Sequence, residues 1–148
     1  MKPNIFFITV DSLRADRCFG EKRSAKTPSL DSLIKKGIYF SQTISAGDQT
    51  GTSVSSVFSG LFPIRTGRNQ INFKSDFTTY FDVLKEAGYQ TYALIPDDPF
   101  FKKSAINFDE KTLYFFTDRK KKQLLGTDLG DKIIAKLNSN EMKEPWIY

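Results

Sequence analysis

Apolar residues recur along this chain in two rhythms. Residues 4–10, NIFFITV, form a short continuous apolar run rich in β-branched and aromatic side chains, the pattern of a central strand covered on both faces. The segment TPSLDSLIKKG then switches to helical spacing. Leu30, Leu33 and Ile34 share one face, Thr27 stands at the N-cap position, Pro28 suits the first helical position, and Gly37 ends the helix. IYFSQTIS, residues 38–45, reads as a second strand. Small residues from Thr50 to Ser59 predict a tightly packed helix, which GLFPIRTGRN halts with two glycines and a proline. DFTTYFDVLKEAG predicts another helix, with Phe77, Phe81 and Leu84 on its apolar face and Gly88 as its stop, and YQTYALI a strand after it. LGTDLGDKIIAKLNSN predicts a last helix capped by Thr127 or Asp128, leading into PWIY as one more strand.

Strands alternating with helices imply an α/β fold, a largely parallel sheet sandwiched by helices with right-handed crossovers. At 148 residues the chain suits a single domain, and no repeat, low-complexity linker or composition break divides it. In such sheets ligands collect at the carboxyl ends of the strands, where Asp11 follows the first apolar run.

Charge adds little to this picture. Lys and Arg number 22 against 17 Asp and Glu, a balance that suits an anionic substrate. Much of the excess lies in KKSAINFDEK and DRKKKQ, which read as solvated loops, and no nucleic-acid recognition motif accompanies it. Cys18 is the only cysteine, which excludes an internal disulfide framework and a cysteine-built zinc site. MKPN leads directly into the first apolar run, so the expectation is a cytoplasmic protein without signal peptide or membrane span. There is no histidine.

An acid after a buried strand has two readings: it caps the following turn, or it offers carboxylate oxygens to a hard cation at the sheet edge. A phosphoacceptor or dehalogenase-like site would want a second carboxylate two residues on, where this chain has Leu13. Arg14 and Asp16 in the next turn read as a surface ion pair.

Five segments in order carry a more specific signal. They are Asp11 to Asp16 after the apolar run, Thr27 to Leu33, Gly37 to Phe40, Thr50, and Ser59 to Pro63. Together they resemble the N-terminal part of the sulfatase branch of the alkaline phosphatase superfamily, strongly over residues 3–67 and more weakly through YFDVLKEAGYQTYAL and EPWIY. The resemblance implies an alkaline phosphatase-like sheet and a metal-dependent hydrolase or transferase acting on phosphate or sulfate esters. It aligns Thr50 with the nucleophile, where many sulfatases carry a Cys or Ser that becomes formylglycine within a Cys-x-Pro-x-Arg pattern. Here the pattern reads Thr50, Gly51, Thr52, Ser53, Val54, with no convertible residue, proline or arginine. A threonine instead matches the branches that use an unmodified alkoxide. Such a hydroxyl needs a metal and a positive field to act at neutral pH.

Asp11 is then the implied metal ligand, with Thr50 sharing a divalent ion: calcium, manganese, zinc or magnesium. Ser12 stands where family sites often place a second acid. A helix starting at Gly51 would direct N–H groups at a phosphoryl or sulfuryl oxygen. Arg65 and Arg68 either reach the anionic ester or lie in a solvated loop, and Thr50 without the resemblance is an ordinary N-cap. Family members complete the site with histidines and acids later in the chain, so the expectation is the N-terminal portion of a longer catalytic domain, inactive alone. Its uncovered sheet edge would favour a homo-oligomer. The competing reading is a noncatalytic binding or assembly domain that keeps the fold.

Overall fold

The computed structural model describes residues 1–66, 78–114 and 128–148, with backbone alone for Arg65, Thr66 and Asp128. It divides into two compact units, Met1–Phe7 with Ala46–Tyr148, and Ile8–Ser45. No helix among the described residues is long and apolar enough to cross a membrane.

The larger unit is built on a parallel sheet. Its strands are β1 (Gln90–Pro96), β2 (Glu110–Tyr114) and β3 (Trp146–Ile147), in the order β2-β1-β3. Tyr92 pairs with Glu110 and Pro96 with Tyr114 on one side of β1, while Thr91 pairs with Ile147 on the other. The start of the chain lies alongside β3. Ile5 N donates to Trp146 O at 2.8 Å, Phe7 N to Tyr148 O at 2.7 Å, and Tyr148 N returns to Ile5 O at 2.9 Å, again in parallel. The predicted central strand over residues 4–10 therefore ladders only around Ile5 to Phe7. Ile8 and Val10 remain 61% and 57% exposed, because among the described residues the run has a ladder partner only in the β3 segment.

Helices flank the sheet on both sides, as the α/β pattern requires. Helix α5 (Tyr80–Glu86) starts from a capping box, with Thr79 Oγ1 accepting from Asp82 N and Asp82 Oδ2 accepting from Thr79 N at 2.7 Å. It sends Phe81 into a core with Tyr89 and Ile147, around which Ile5, Phe58, Leu84 and Phe108 pack. Phe58 comes from α3 (Thr50–Ser59), its ring centre 5.0 Å from that of Phe81. Each such side chain removed from water contributes about 1.5–3 kcal/mol, so this cluster anchors α3 and α5 to the sheet. Tyr92 follows Thr91 and points to the opposite face. There Lys136 of α7 (Asp128–Asn138) lies over its ring.

Three elements escape the sequence reading within this unit, one of them the short helix over Pro63–Thr66. Asp98 accepts from Phe100 N at 2.8 Å and Pro99 opens α6 (Pro99–Ser104), whose second half runs into the stretch KKSAINFDEK read as solvated. The charged stretch also contains the start of β2, and its charges serve as cross-links. Lys85 reaches Asp109 at 2.6 Å and Lys136 reaches Glu110 at 2.7 Å. Phe77 and Thr127, read as a helix-face residue and a cap, lie outside the described residues.

The smaller unit holds α1 (Ala15–Cys18) and α2 (Pro28–Lys36). Cys18 is buried, and the Arg17 carbonyl accepts from both Ser24 N and Ala25 N at 2.9 Å. Arg23 ties this turn to α2 through Asp31 at 2.7 Å. Helix α2 begins and ends where predicted and Thr27 holds its N-cap position, but the Thr27 hydroxyl makes no cap bond and donates to Asp31 Oδ1 instead. Residues 38–45 are not a strand. Ile38, Phe40 and Ile44 are 83%, 75% and 90% exposed, because the alternating pattern becomes a strand only beside a ladder partner, and this unit contains none among its described residues.

Candidate active site

The site begins at the amino end of α3. Thr50 is its first residue and is exposed, Gly51 behind it is buried, and Gln49, not Thr50, occupies the N-cap position. Gln49 makes no side-chain cap, and its carbonyl takes two donors instead, Ser53 N at 2.9 Å and Thr52 Oγ1 at 3.0 Å. The helix reading of Thr50 as a cap is thus corrected: backbone and Thr52 close the first turn. The N–H groups of a first helical turn have no acceptor within the helix, and their partial positive charge favours an anion. Ser55 and Ser56, which follow, are small and buried; Ser56 Oγ donates back to Thr52 O at 3.0 Å, and Ser59 Oγ donates to Ser55 O at 2.7 Å. Gly60 ends α3 in the left-handed conformation, φ 68°, with its N–H on Ser56 O.

Helix α4 (Pro63–Thr66) follows directly and packs against α3, which brings the backbone of Arg65 into the neighbourhood of α3. Arg68 lies outside the described residues.

Asp11 belongs to the smaller unit, in an exposed turn. Its Oδ2 accepts from Ser12 Oγ at 3.4 Å, and Ser12 takes a positive φ of 59°, uncommon for a residue with a side chain. Arg14 and Asp16 form the expected surface pair. Arg14 Nε and Nη2 donate to the two oxygens of Asp16 at 3.0 and 2.8 Å, which holds Asp16 below the usual carboxylate range. Of the residues named from the sequence, the structure thus places Thr50 and Gly51 together in one helical turn, the backbone of Arg65 in the next helix and Asp11 in the other unit.

A further acid pair escaped that reading. Asp97 and Asp98 follow the carboxyl end of β1, the end where parallel sheets receive ligands. Asp98 is spent on the α6 cap and Asp97 is paired with Lys102, so both do structural work. A hard cation takes six or more oxygen ligands, typically several carboxylates. Among the described residues no three His, Cys, Asp or Glu side chains come together, so these residues do not close a coordination shell. Asp11 supplies at most its two oxygens.

Known proteins give the site its context. The family model described as Sulfatase matches residues 3–146. An ulvan-active sulfatase of Formosa agariphila is 31% identical over 93 residues, covering 60% of this chain and 18% of that protein. An N-acetylglucosamine-6-O-sulfatase of Bacteroides thetaiotaomicron is 31% identical over 94 residues, 61% of this chain and 17% of the relative. An N-acetylgalactosamine-6-O-sulfatase of the same bacterium is 29% identical over 99 residues, 61% of this chain and 19% of the relative. Each match thus spans less than a fifth of the relative's own length. No solved structure matches the chain significantly.

Proposed function

The chain belongs to the sulfatase family, and from that premise we propose that the protein containing it cleaves or transfers phosphate or sulfate esters with Thr50 as nucleophile. The position of Thr50 carries this reading: an exposed hydroxyl on the first residue of a ten-residue helix whose amino end favours anions. Attack by Thr50 Oγ on phosphorus or sulfur would form a bond to the hydroxyl oxygen as the bond to the departing alcohol breaks. Water or an acceptor alcohol then releases the group from Thr50. First-turn N–H groups of α3 stabilise the charge on the non-bridging oxygens, and Gly51 keeps that approach free of a side chain. Arg65 and Arg68 supply further positive charge to the anionic substrate.

Threonine rules out the formylglycine route, which starts from Cys or Ser. Sulfate and phosphate esters are therefore both substrates for this site in principle. Two of the relatives are named for 6-O-sulfated amino sugars and another for ulvan. Sulfated glycans are accordingly the first natural substrates to assay.

A divalent ion, calcium, manganese, zinc or magnesium, belongs to the proposal, with Asp11 offered as one carboxylate ligand. Its service when bound would be to lower the pKa of the attacking hydroxyl. Titration calorimetry on the whole protein and on Asp11→Asn tests that assignment, and equal affinity in the two removes Asp11 from it. The catalytic claim is tested by Thr50→Ala against aryl sulfate, aryl phosphate and phosphodiester substrates. Turnover should disappear while the thermal midpoint stays, and Thr50→Ser should keep measurable activity. Normal turnover by the alanine variant would reduce Thr50 to a helix residue.

A further inference from the structure

Two glycines near α3 are required for opposite reasons. Gly60 has a positive φ and nothing within 4 Å of where a Cβ would stand, so its role is conformational. Gly47 has no such backbone, yet a Cβ there would lie 2.5 Å from Thr52 Oγ1, 2.9 Å from Thr52 Cβ and 2.9 Å from Ser53 N. Its role is spatial.

We infer that Gly47 is a positioning residue for Thr50: its missing side chain lets the loop before α3 lie directly on the first helical turn and so sets where the Thr50 hydroxyl stands. The inference rests on the reading of Thr50 as nucleophile. Neither contact has an easy escape. Thr52 Oγ1 is engaged with Gln49 O at 3.0 Å, so turning the side chain away breaks the bond that helps close the turn. Ser53 N is backbone and is bonded to the same carbonyl at 2.9 Å. Ordinary contact begins at 3.4 Å, so an alanine at 47 must push the loop and the turn apart by about half an ångström or more. The residue between them in the chain, two before Thr52, is Thr50.

A displacement of that size at a reacting atom is costly, since a misplacement of about 1 Å is enough for roughly a hundredfold loss of rate. Gly47→Ala in the whole protein should therefore lower kcat on esters by about 10- to 100-fold while KM moves less than about threefold. Adding Thr52→Ala removes the closest atom and should recover part of the loss. Amide chemical shifts report the same event without turnover: changes should be confined to residues 46–54, with the thermal midpoint nearly unchanged. Unchanged shifts at 49–53 overturn the inference whether or not the enzyme is active. Shifted amides with unchanged kcat overturn it as well, because position 47 would then not govern the nucleophile. Unmutated protein that cleaves no ester defeats the proposed function, a result seen before any variant is made, and the amide shifts still decide whether Gly47 sets the turn.

Discussion

Asp109 offers the sharpest test of how the larger unit is held together. It sits just before β2 and stitches three elements. Its Oδ2 accepts from both Thr91 N and Thr91 Oγ1 at 2.9 Å, its own N–H donates to Thr91 Oγ1 at 2.9 Å, and its Oδ1 meets Lys85 of α5 at 2.6 Å. Thr91 is 1% exposed, so no solvent stands ready to replace the acceptor. Truncation by Asp109→Ala leaves that buried N–H and the hydroxyl proton without an acceptor, while the backbone N–H of residue 109 still reaches the hydroxyl oxygen, a cost of about 1–3 kcal/mol. The Lys85 pair is 43% and 29% exposed on its two sides, so screening limits it to about 0.2–1 kcal/mol more. The alanine variant should thus lose about 3 kcal/mol. Asp109→Asn keeps an oxygen for Thr91 and forfeits only the ion pair, a loss of about 1 kcal/mol.

Urea unfolding of the three proteins, with unchanged slopes, measures both numbers. pH supplies an internal check. Burial alone would raise the Asp109 pKa, but the Lys85 bond and the two Thr91 bonds outweigh it and hold the carboxyl below its usual range. A depressed folded-state pKa means stability that is complete above the unfolded value, about pH 3.9, and is lost as pH falls through the folded one. Asp82, also held low, is common to both proteins and drops out of the comparison. The gap between wild type and Asp109→Asn should therefore be flat from pH 7 to about pH 5 and close below about pH 4. Alanine and asparagine variants of equal stability would refute the reasoning, since Thr91 would then not depend on this acceptor.

Three more outcomes follow from the same packing. Ile147→Ala should cost about 2–5 kcal/mol in thermal or urea unfolding, because Ile147 is 1% exposed and touches the core from inside the ladder; a cost below about 1 kcal/mol would place it outside the core. Tyr80→Phe should leave stability unchanged or raise it by about 1 kcal/mol, since the Tyr80 hydroxyl is buried with no hydrogen-bond partner among the described residues, and burial pushes its pKa up. The 148-residue chain should self-associate in light scattering through the edge formed by Ile5 to Phe7, where Phe6 is 44% exposed, and Phe6→Lys should return it to monomer; a clean wild-type monomer would show that edge to be adequately covered.

What the sequence disclosed follows the range of the cue. Helix α3 was legible from residue 50 to residue 59 because its ending is local: Gly60 supplies the left-handed residue on which the last turn closes. Helix α2 was legible through Pro28, and β1 through its β-branched and aromatic run. Residues 38–45 carry a strand-like rhythm as clear as that of β1, yet rhythm states only that a segment fits a ladder, and the ladder must come from elsewhere. Strand β2 was hidden for the opposite reason. Glu110 and Lys111 look solvated, and the partner that makes use of Glu110, Lys136, stands 26 residues away.

The candidate site divides along the same line. Asp11 and Thr50 were singled out because five motifs in order pointed to them, and the helix that presents Thr50 was read from its own cues. Gly47 was not found, although it touches the same turn. A glycine that supplies a positive φ punctuates the chain and can be read from its neighbours, as Gly60 and Gly88 were. A glycine that supplies room has an ordinary backbone, and nothing adjacent announces it. Its need arises only once the Gln49 carbonyl has drawn in Thr52 and Ser53, which leaves no space for a side chain at 47. The room that Gly47 leaves is thus called for by contacts with residues five and six further on, too close in the chain to look like tertiary structure and too dependent on the folded turn to look like local propensity.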